Sequence, residues 1–265
     1  MRFIADHDLH IHSQLSLCSG DPAQTPEEIL AYGEANGLKT LCLTDHMWDP
    51  AVPGASDWYA VQTYERTKSA LPLPQSDKVK FLFGCETEMD RNCVIGVSAQ
   101  TMKELDFIIV PTTHLHMDGF TLDGSEGAEE RAKLWIKRFD ALLDAPMPFE
   151  KTGIAHLTCS LIWNRGDYLE VLKRIPLSEY HRLFERAAKA GLGIELNFPA
   201  YGMSASKAET ELVPYKIAKE EGCRFYLGGD AHNPKDLAIG RKNFDAMIDA
   251  LGLTEDDKIL MLQGG

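Results

Sequence analysis

The fold prediction begins with the stretch Asp8-Leu9-His10-Ile11-His12, which ends an apolar run begun by Phe3-Ile4-Ala5. Side chains of a β-strand alternate between its two faces, so His10 and His12 are predicted to point the same way. Two neutral imidazoles side by side at a strand end can bind one metal ion. Alone, such a pair more often marks a polar strand end than a metal site. The other ligand-type residues of the chain distinguish a metal site from a polar strand end.

Six further short apolar runs follow this first strand, separated by amphipathic helical segments and loops rich in turn residues. The main strands are predicted at 3–12, 40–44, 80–85, 107–111, 153–155, 193–196 and 224–228. Helices are predicted at 25–36, 58–70, 126–143, 167–174, 178–190, 205–221 and 241–251. Two minor strands are predicted at 93–98 and 259–262. Strands that alternate with helices indicate parallel β-structure with right-handed crossovers.

About seven strand–helix units favour a closed or nearly closed β/α barrel over an open doubly wound sheet. No Gly-x-Gly-x-x-Gly turn follows the first strand, and no phosphate-binding loop of the Gly-x-x-x-x-Gly-Lys type occurs. No short-period repeat and no clear linker divides the chain. We therefore predict an α/β fold with one barrel domain over residues 1–265.

The composition is that of an ordinary globular protein, with 44% hydrophobic and 25% charged residues. The formal net charge is −13, and no basic block offsets it. Phosphate backbones demand surfaces rich in lysine and arginine, so a protein whose main role is holding nucleic acid is disfavoured. The sequence carries no indication of an oligomeric state.

Several features predict a cytoplasmic location. Residues 1–6 lack the long apolar core of a signal peptide, and no apolar run approaches the ~18 residues of a membrane span. The six cysteines are scattered without a Cys-x-x-Cys pair, and several lie in apolar runs. This pattern is typical of reduced thiols rather than of disulfides.

Ligand-type side chains recur at the carboxyl ends of the predicted strands, where six of the nine histidines fall. In a β/α barrel these ends converge on one mouth, and active sites are built there. Taken singly, His46 is also compatible with a helix cap and His156 with a core position. The joint pattern nevertheless predicts a metal centre formed by His10, His12, His46, Glu86, His114, His156, Asp230 and His232.

Two of these positions have neighbours of the same type. Glu88 lies on the same face as Glu86 if the strand continues, and His116 competes with His114 on the same parity argument. We favour Glu86 over Glu88, and we favour His114 because it follows its core strand more closely. His181 lies within a predicted helix and is predicted to be a surface residue.

The ordered motifs resemble those of the PHP (polymerase and histidinol phosphatase) family. They are His10-x-His12, Thr44-Asp45-His46, Gly84-Cys85-Glu86, His114, His156 and Asp230-x-His232. The resemblance covers residues 8–232. It implies a distorted (β/α)7 TIM-like barrel, two or three divalent metal ions, usually zinc, manganese or iron, and hydrolysis of phosphoesters.

The resemblance also implies how the ligands are divided among the ions. The first ion would take His10, His12, Glu86 and Asp230, the second Glu86, His114 and His156, and the third His46 and His232. Many family members place a histidine or aspartate six residues beyond the opening motif, and this chain has Cys18 there. Cys18 is therefore predicted as a metal ligand, with Asp21 as the nearby substitute.

The chemistry expected at such a centre is attack by metal-activated water. Bound metal ions lower the pKa of water and supply hydroxide for in-line attack on phosphorus. Asp230 and His232 are predicted to take part in catalysis, with Asp230 or a neighbour of the metal ligands handling protons.

An arginine often completes a phosphate site through bidentate contact. Arg165, in the loop after the strand that delivers His156, is the best placed in sequence, followed by Arg241 and Arg91. Asn197, at a strand end, is predicted to line the pocket.

The leading functional hypothesis is a phosphatase acting on a small phosphomonoester, either like histidinol phosphate or of nucleotide type. An amidohydrolase-like hydrolase of C–N or ester bonds is the alternative, since that class also opens on His-x-His. It is disfavoured by Thr44-Asp45-His46 and by the late Asp230-x-His232 pair. A catalytically silent binding module is disfavoured because nearly all the ligands are present.

Overall fold

The computed structural model describes residues 1–197 and 207–263, except for the side chains of residues 241 and 242. Its seven-stranded sheet has the strands in chain order, and every neighbouring pair is parallel. The strands are β1 (His7–Ile11), β2 (Thr40–Leu43), β3 (Lys80–Glu86), β4 (Phe107–Pro111), β5 (Thr152–Ala155), β6 (Gly193–Leu196) and β7 (Arg224–Leu227). The predicted β/α barrel is confirmed.

Helices connect the strands and cover the outside of the barrel. They are α1 (Pro26–Ala35), α2 (Asp57–Ala60), α3 (Tyr64–Lys68), α4 (Ala128–Asp144), α5 (Tyr168–Leu172), α6 (Leu177–Ala190), α7 (Ala208–Glu211), α8 (Val213–Glu220) and α9 (Pro234–Leu251). Helix α1 begins after a threonine cap: the Thr25 hydroxyl accepts the Glu28 N–H at 3.2 Å. None of the described helices is long and apolar enough to cross a lipid bilayer.

The barrel is closed between β1 and the segment just beyond β7 by a few individual hydrogen bonds. The Asp230 N–H donates to the His10 carbonyl at 2.7 Å, and the His12 N–H donates to the Ala231 carbonyl at 3.0 Å. Lower down, the Leu227 N–H donates to His7 Nε2 at 3.0 Å. The two ends of the sheet therefore meet at the level where the ligand-type residues lie.

The apolar core has two layers. One lies between the strands and the helices and includes Trp135, Phe139 and Phe184. The other lies inside the barrel, where the rings of Phe107 and Tyr226 meet edge to face with centroids 5.0 Å apart. Apolar side chains thus fill the lower part of the barrel, and the polar residues of the strand ends occupy its mouth.

Several predicted elements differ in the structure. In the predicted helix at 205–221, residues 205 and 206 lie outside the described part of the chain and the remainder forms two helices, α7 and α8. The helix predicted at 241–251 begins earlier, at Pro234. The single helix at 58–70 is two short helices, α2 and α3, because Thr63 caps a new helix by accepting the Arg66 N–H at 3.3 Å. Residues 93–98 form only an isolated bridge, between Met89 and Ile95. The predicted strand at 259–262 is a 3₁₀ turn, Leu260–Leu262, at the lower end of the barrel.

Candidate metal centre and active site

The carboxyl ends of six strands deliver the predicted ligands to one place. Glu86 is the last residue of β3, and His156 comes directly after β5. Six of the eight side chains are almost fully buried, and those of Asp230 and His232 are 29% and 27% exposed. Among the described residues, Asp230 and His232 are thus the cluster members most exposed to solvent.

Four side chains form the centre of this cluster. His10 Nε2 and His12 Nε2 are 3.1 Å apart, and Glu86 Oε2 lies 3.3 Å from each of them. Asp230 Oδ1 lies 3.4 Å from His10 Nε2 and 3.0 Å from His12 Nε2. The four potential ligand atoms all lie within 4.8 Å of one another.

Glu86 extends the cluster in two directions. Its Oε1 lies 3.2 Å from His156 Nε2 and 4.0 Å from His114 Nε2. Its Oε2 lies 3.0 Å from His46 Nδ1. His46 forms a further group with His12 and His232. The rings of His12 and His232 stack, with centroids 4.3 Å apart. The structure thus brings together the residues expected around each of the three ions.

The chemistry of the donors fits divalent cations. Imidazole nitrogens and carboxylate oxygens suit zinc, manganese and iron. Glu86 Oε1 and Asp230 Oδ1 are buried atoms with no hydrogen-bond partner of acceptable geometry among the described residues. Buried carboxylate oxygens rarely lack a partner, so their orientation toward neighbouring imidazole nitrogens points to a shared cation.

The electrostatics of the cluster agree with this. Burial would lower the pKa of His12, but the Asp230 and Glu86 carboxylates raise it to about 9. Although burial opposes it, the surrounding imidazoles lower the pKa of Glu86 and of Asp230 below the ordinary carboxyl range. The carboxylates are therefore ionised at neutral pH and suited to attract positive charge, which a divalent ion supplies in place of protons.

Three of the imidazoles are oriented in the same way. Nδ1 of His10 lies 2.6 Å from Glu195 Oε1, and Nδ1 of His114 lies 2.7 Å from Glu88 Oε2. Nδ1 of His12 lies 3.0 Å from the Ser16 hydroxyl. A proton on each Nδ1 satisfies these oxygens and leaves Nε2 as the lone-pair atom facing the cluster. Such outer contacts are typical of histidines that bind metal.

Glu195 is a functional candidate that the motif analysis missed. Besides contacting His10, its Oε2 accepts the His156 N–H at 2.9 Å, and its side chain is fully buried. His156 has a φ of 34°, a left-handed backbone conformation that costs a non-glycine residue about 1–3 kcal/mol. Glu195 therefore holds one ligand's ring and another ligand's backbone. A charged residue inside the apolar strand Gly193–Leu196 was the sequence signal for it.

The two open alternatives take different positions in the structure. Glu86 lies within the cluster, whereas Glu88 lies behind His114 and contacts the Arg138 guanidinium at 3.3 Å. His114 belongs to a potential ligand group, whereas His116 lines the cavity beside it, with ring centroids 5.2 Å apart. The residue closer to its strand is the cluster member in both pairs.

Cys18 lies at the mouth without joining the cluster. It is solvent-exposed and lines the same cavity as His46 and His232, but it belongs to none of the potential ligand groups of the described residues. Although the residue as a whole is exposed, the surroundings of its thiol group are partly desolvated. This desolvation and the nearby Glu86 and Asp230 charges raise the pKa of Cys18, so it would be a protonated thiol without an ion. Asp21 does not line this cavity, and its Oδ1 accepts the Ala23 N–H at 2.9 Å.

The structure does not bring Arg165 to the cluster. Its side chain is 73% exposed and pairs with Asp118 at 2.9 Å on the rim of the cavity. Arg91 pairs with Asp123 at 2.8 Å and is also exposed, while the side chain of Arg241 lies outside the described part of the chain. Asn197 is buried after β6, with no described partner for its Nδ2, and is not among the residues lining the cavity.

A cavity of about 460 Å³ opens from the cluster to the surface. Glu86, His114, Asp230 and His232 lie on one of its walls. The side chains of Trp58, Met117, Phe120 and Leu161 also line it, and we call these four residues the apolar wall. The cavity thus joins a charged cluster to an apolar surface.

Residues 8–199 match the PHP domain family, which is well over half of the chain. A probable phosphatase of Caldicellulosiruptor saccharolyticus is 23% identical over 234 residues, which are 87% of this chain and 82% of that protein. That relative supports a phosphatase function without identifying a substrate.

Two solved structures have a similar fold. One is the histidinol phosphate phosphatase of Lactococcus lactis complexed with zinc, L-histidinol and phosphate; it has a TM-score of 0.61 and 18% identity, and the match covers 96% of this chain and 98% of that chain. The other is the putative histidinol phosphatase of Listeria monocytogenes, also with a TM-score of 0.61, with 14% identity over 90% of this chain and 99% of that chain.

Proposed function

The chain belongs to the PHP domain family and is an enzyme of the metal-dependent phosphatase class, and we propose that it hydrolyses a small phosphomonoester at a site of two or three divalent ions. The observation that carries this proposal is the cluster around Glu86, where two unpartnered buried carboxylate oxygens face imidazole nitrogens. Zinc, manganese or iron would suit these donors.

Each group of residues would have its own part in holding the ions. His10, His12, Glu86 and Asp230 would hold the central ion, and Glu86 would be shared with a second ion held by His114 and His156. His46 and His232 would hold a third ion, and Cys18 lines the same cavity. When bound, such ions activate water and neutralise charge on the phosphoryl oxygens.

Asp230 is the residue we assign to proton handling. Its carboxylate is the most accessible charged group of the cluster, at 29% exposure, and is ionised at neutral pH. His232 Nδ1 contacts the Asp230 carbonyl oxygen at 2.7 Å, which fixes the ring beside the cavity. Asp230 would accept the proton of the attacking water and pass it to the oxygen of the departing alcohol, beside which His232 would lie.

The neighbour's ligands suggest a first substrate to test. The Lactococcus lactis protein was solved with L-histidinol and phosphate, so histidinol phosphate is one candidate here and a nucleoside monophosphate is the other. The 460 Å³ cavity has room for the alcohol portion of either.

The test compares metal-stripped protein with protein restored separately with Zn²⁺, Mn²⁺ or Fe²⁺, on a panel of phosphomonoesters that contains both candidates. Phosphate release is expected only after an ion is restored, and Glu86→Gln should reduce kcat/KM by at least about a hundredfold. Hydrolysis of amides or lactones without phosphate release under any ion would contradict the proposal and favour the amidohydrolase-like alternative.

A further inference from the structure

We propose that the apolar wall is the binding site for the leaving alcohol, and that the preferred substrates are phosphomonoesters whose alcohol carries an uncharged ring. This inference rests on the proposed function, since it concerns the group that remains after phosphate is released. It goes further by assigning a substrate class and the residue that selects it, Trp58.

Continuity of the cavity gives the first argument. The apolar wall and the ligand cluster line a single space, so a phosphoryl group held at the cluster directs its alcohol toward the wall. The ring of Trp58 meets the ring of His46 edge to face, with centroids 5.2 Å apart. Trp58 therefore lies beside the cluster, within reach of the alcohol of a phosphoester bound there.

The wall is also rigidly supported. Phe120 packs against Trp48 and Tyr59, with ring centroids 5.5 Å and 5.6 Å apart. Trp58 meets the Tyr59 ring edge to face at 4.7 Å. Trp48 and Tyr59 are almost fully buried, so Trp58 and Phe120 pack against rings of the protein interior. A pre-formed aromatic surface of this kind favours flat apolar groups.

Exposure of Trp58 gives an independent argument. Its residue surface is 37% exposed although Tyr59 beside it is 1% exposed. Trp58 lines the cavity, so a ring bound there would cover part of its exposed surface. Because an aromatic face left in water is unfavourable, covering it adds binding free energy.

Charge at the rim argues against an anionic tail. Asp118 lines the cavity, and its partner Arg165 lies outside the lining. A carboxylate on the alcohol would approach the negative charge of Asp118, and it would lose its hydration on reaching the apolar wall. An uncharged ring incurs neither cost.

The test uses three substrates whose leaving alcohols are alike near the reacting bond: propyl phosphate, 3-phenylpropyl phosphate and 3-carboxypropyl phosphate. With metal-loaded protein, kcat/KM for the phenyl compound should exceed that for propyl phosphate by at least about tenfold, mainly through KM. The carboxyl compound should fall below propyl phosphate. Calorimetry with the corresponding phosphonates should give the same order of affinities without turnover.

Variants then locate the preference. Trp58→Ala should reduce the phenyl-to-propyl ratio of kcat/KM to below about threefold, and Trp58→Phe should restore most of it. Val61→Ala is the matched control, because Val61 is 54% exposed just after α2 but does not line the cavity; its ratio should equal that of the wild type. Metal content measured on each variant separates loss of the wall from disturbance of His46.

Two results would overturn the inference and differ from each other. Equal kcat/KM for the three compounds, or a preference for the carboxyl compound that Trp58→Ala leaves unchanged, would reject the apolar wall and leave phosphatase activity standing. In the second result, metal-loaded protein hydrolyses none of the three compounds and releases no phosphate from the wider panel. That result would reject the proposed function and this inference together.

Discussion

Glu88 connects three side chains behind the candidate metal centre. Its Oε2 contacts His114 Nδ1 at 2.7 Å and accepts the Tyr59 hydroxyl at 3.4 Å, while its Oε1 contacts the Arg138 guanidinium at 3.3 Å. Arg138 is itself buried in α4 and donates to the Met89 and Thr112 carbonyls. This network fixes the His114 ring, which no other described hydrogen bond orients.

The first prediction concerns Glu88→Gln. An amide can still be accommodated in this space, but it offers one acceptor oxygen and no charge to His114 and Arg138. Loss of such an outer contact typically reduces metal affinity about 10–100-fold. We expect a metal titration to show one weakened ion with the others unchanged. Glu150→Gln, at an exposed carboxylate on the opposite end of the barrel, is the control, and equal affinities in the two variants would contradict the role of Glu88.

Single residues of the site were predictable to different degrees. The eight cluster members were found because each lies at or just beyond the carboxyl end of an apolar run, and strand ends in a barrel converge. Glu195 was missed because it stands alone in the apolar run Gly193–Leu196 and belongs to none of the motifs. Arg165 was expected at the phosphate because of its sequence position, but the direction of a loop side chain depends on its local partner, here Asp118.

His7 is a buried contact between β1 and β7. Its Nε2 accepts the Leu227 N–H at 3.0 Å, and its Nδ1 lies 3.2 Å from Asp6 Oδ1. This arrangement requires a neutral ring with the proton on Nδ1. Burial lowers the pKa of His7, and the contact with Asp6 opposes this shift only in part. Protonation would break the hydrogen bond from Leu227 that helps to close the barrel.

The second prediction follows from this pKa. In the unfolded chain His7 takes up a proton near its ordinary pKa of about 6.5, whereas the folded chain does so only at lower pH. Below the ordinary pKa the unfolded state therefore binds more protons than the folded state, and the free energy of unfolding falls as the pH falls. Denaturant unfolding of metal-free protein from pH 7.5 to 5 should show a smaller loss of unfolding free energy for His7→Gln than for the wild type. Parallel curves would contradict the neutral His7.

The third prediction tests how closely β5 and β7 pack across the barrel. A Cβ added at Gly153 would lie 2.5 Å from the Tyr226 ring, closer than real contacts allow. Overpacking of this kind costs about 1–3 kcal/mol, so Gly153→Ala should lower the free energy of unfolding by that amount. Tyr226→Leu is destabilising alone but should relieve the clash in the double variant. Additive losses in a double-mutant cycle would contradict the contact.

The order and position of the main elements could be predicted because strands and helices have different apolar periods. The errors lie where a local contact overrides the pattern. Thr63 starts a new helix in the middle of an amphipathic run. Residues after Ile259 are apolar because they cover the bottom of the barrel, not because they form a strand.

The fourth prediction links metal binding to the stability of the folded chain. Ligands from β1, β3 and the segments after β2, β4, β5 and β7 meet only when the barrel is folded, so ions bind the folded state alone. An ion at about a hundredfold above its Kd adds about 2.7 kcal/mol, which raises Tm by about 5–11 °C for a chain of this size. Chelation should reverse this shift in calorimetry. A Tm that is unchanged by chelator would contradict tight binding at the cluster.

The barrel as a whole explains why widely spaced motifs form one site. The opening His10-x-His12 motif and Asp230 come from opposite ends of the chain, and the hydrogen bond from the Asp230 N–H to the His10 carbonyl joins them. Parallel strands in chain order made this convergence predictable. The shape of the cavity was not predictable, because the apolar wall comes from α2 and two loops whose directions are set by packing.

The most direct test of the metal centre is the number of ions bound per chain, measured by mass spectrometry of metals after saturation and removal of free ion. The wild type should hold two or three divalent ions, and Glu86→Ala should lose at least one because Glu86 contacts all three ligand groups. His10→Ala should lose the central ion. A wild type that binds no ion, or full retention of metal by both variants, would contradict the account.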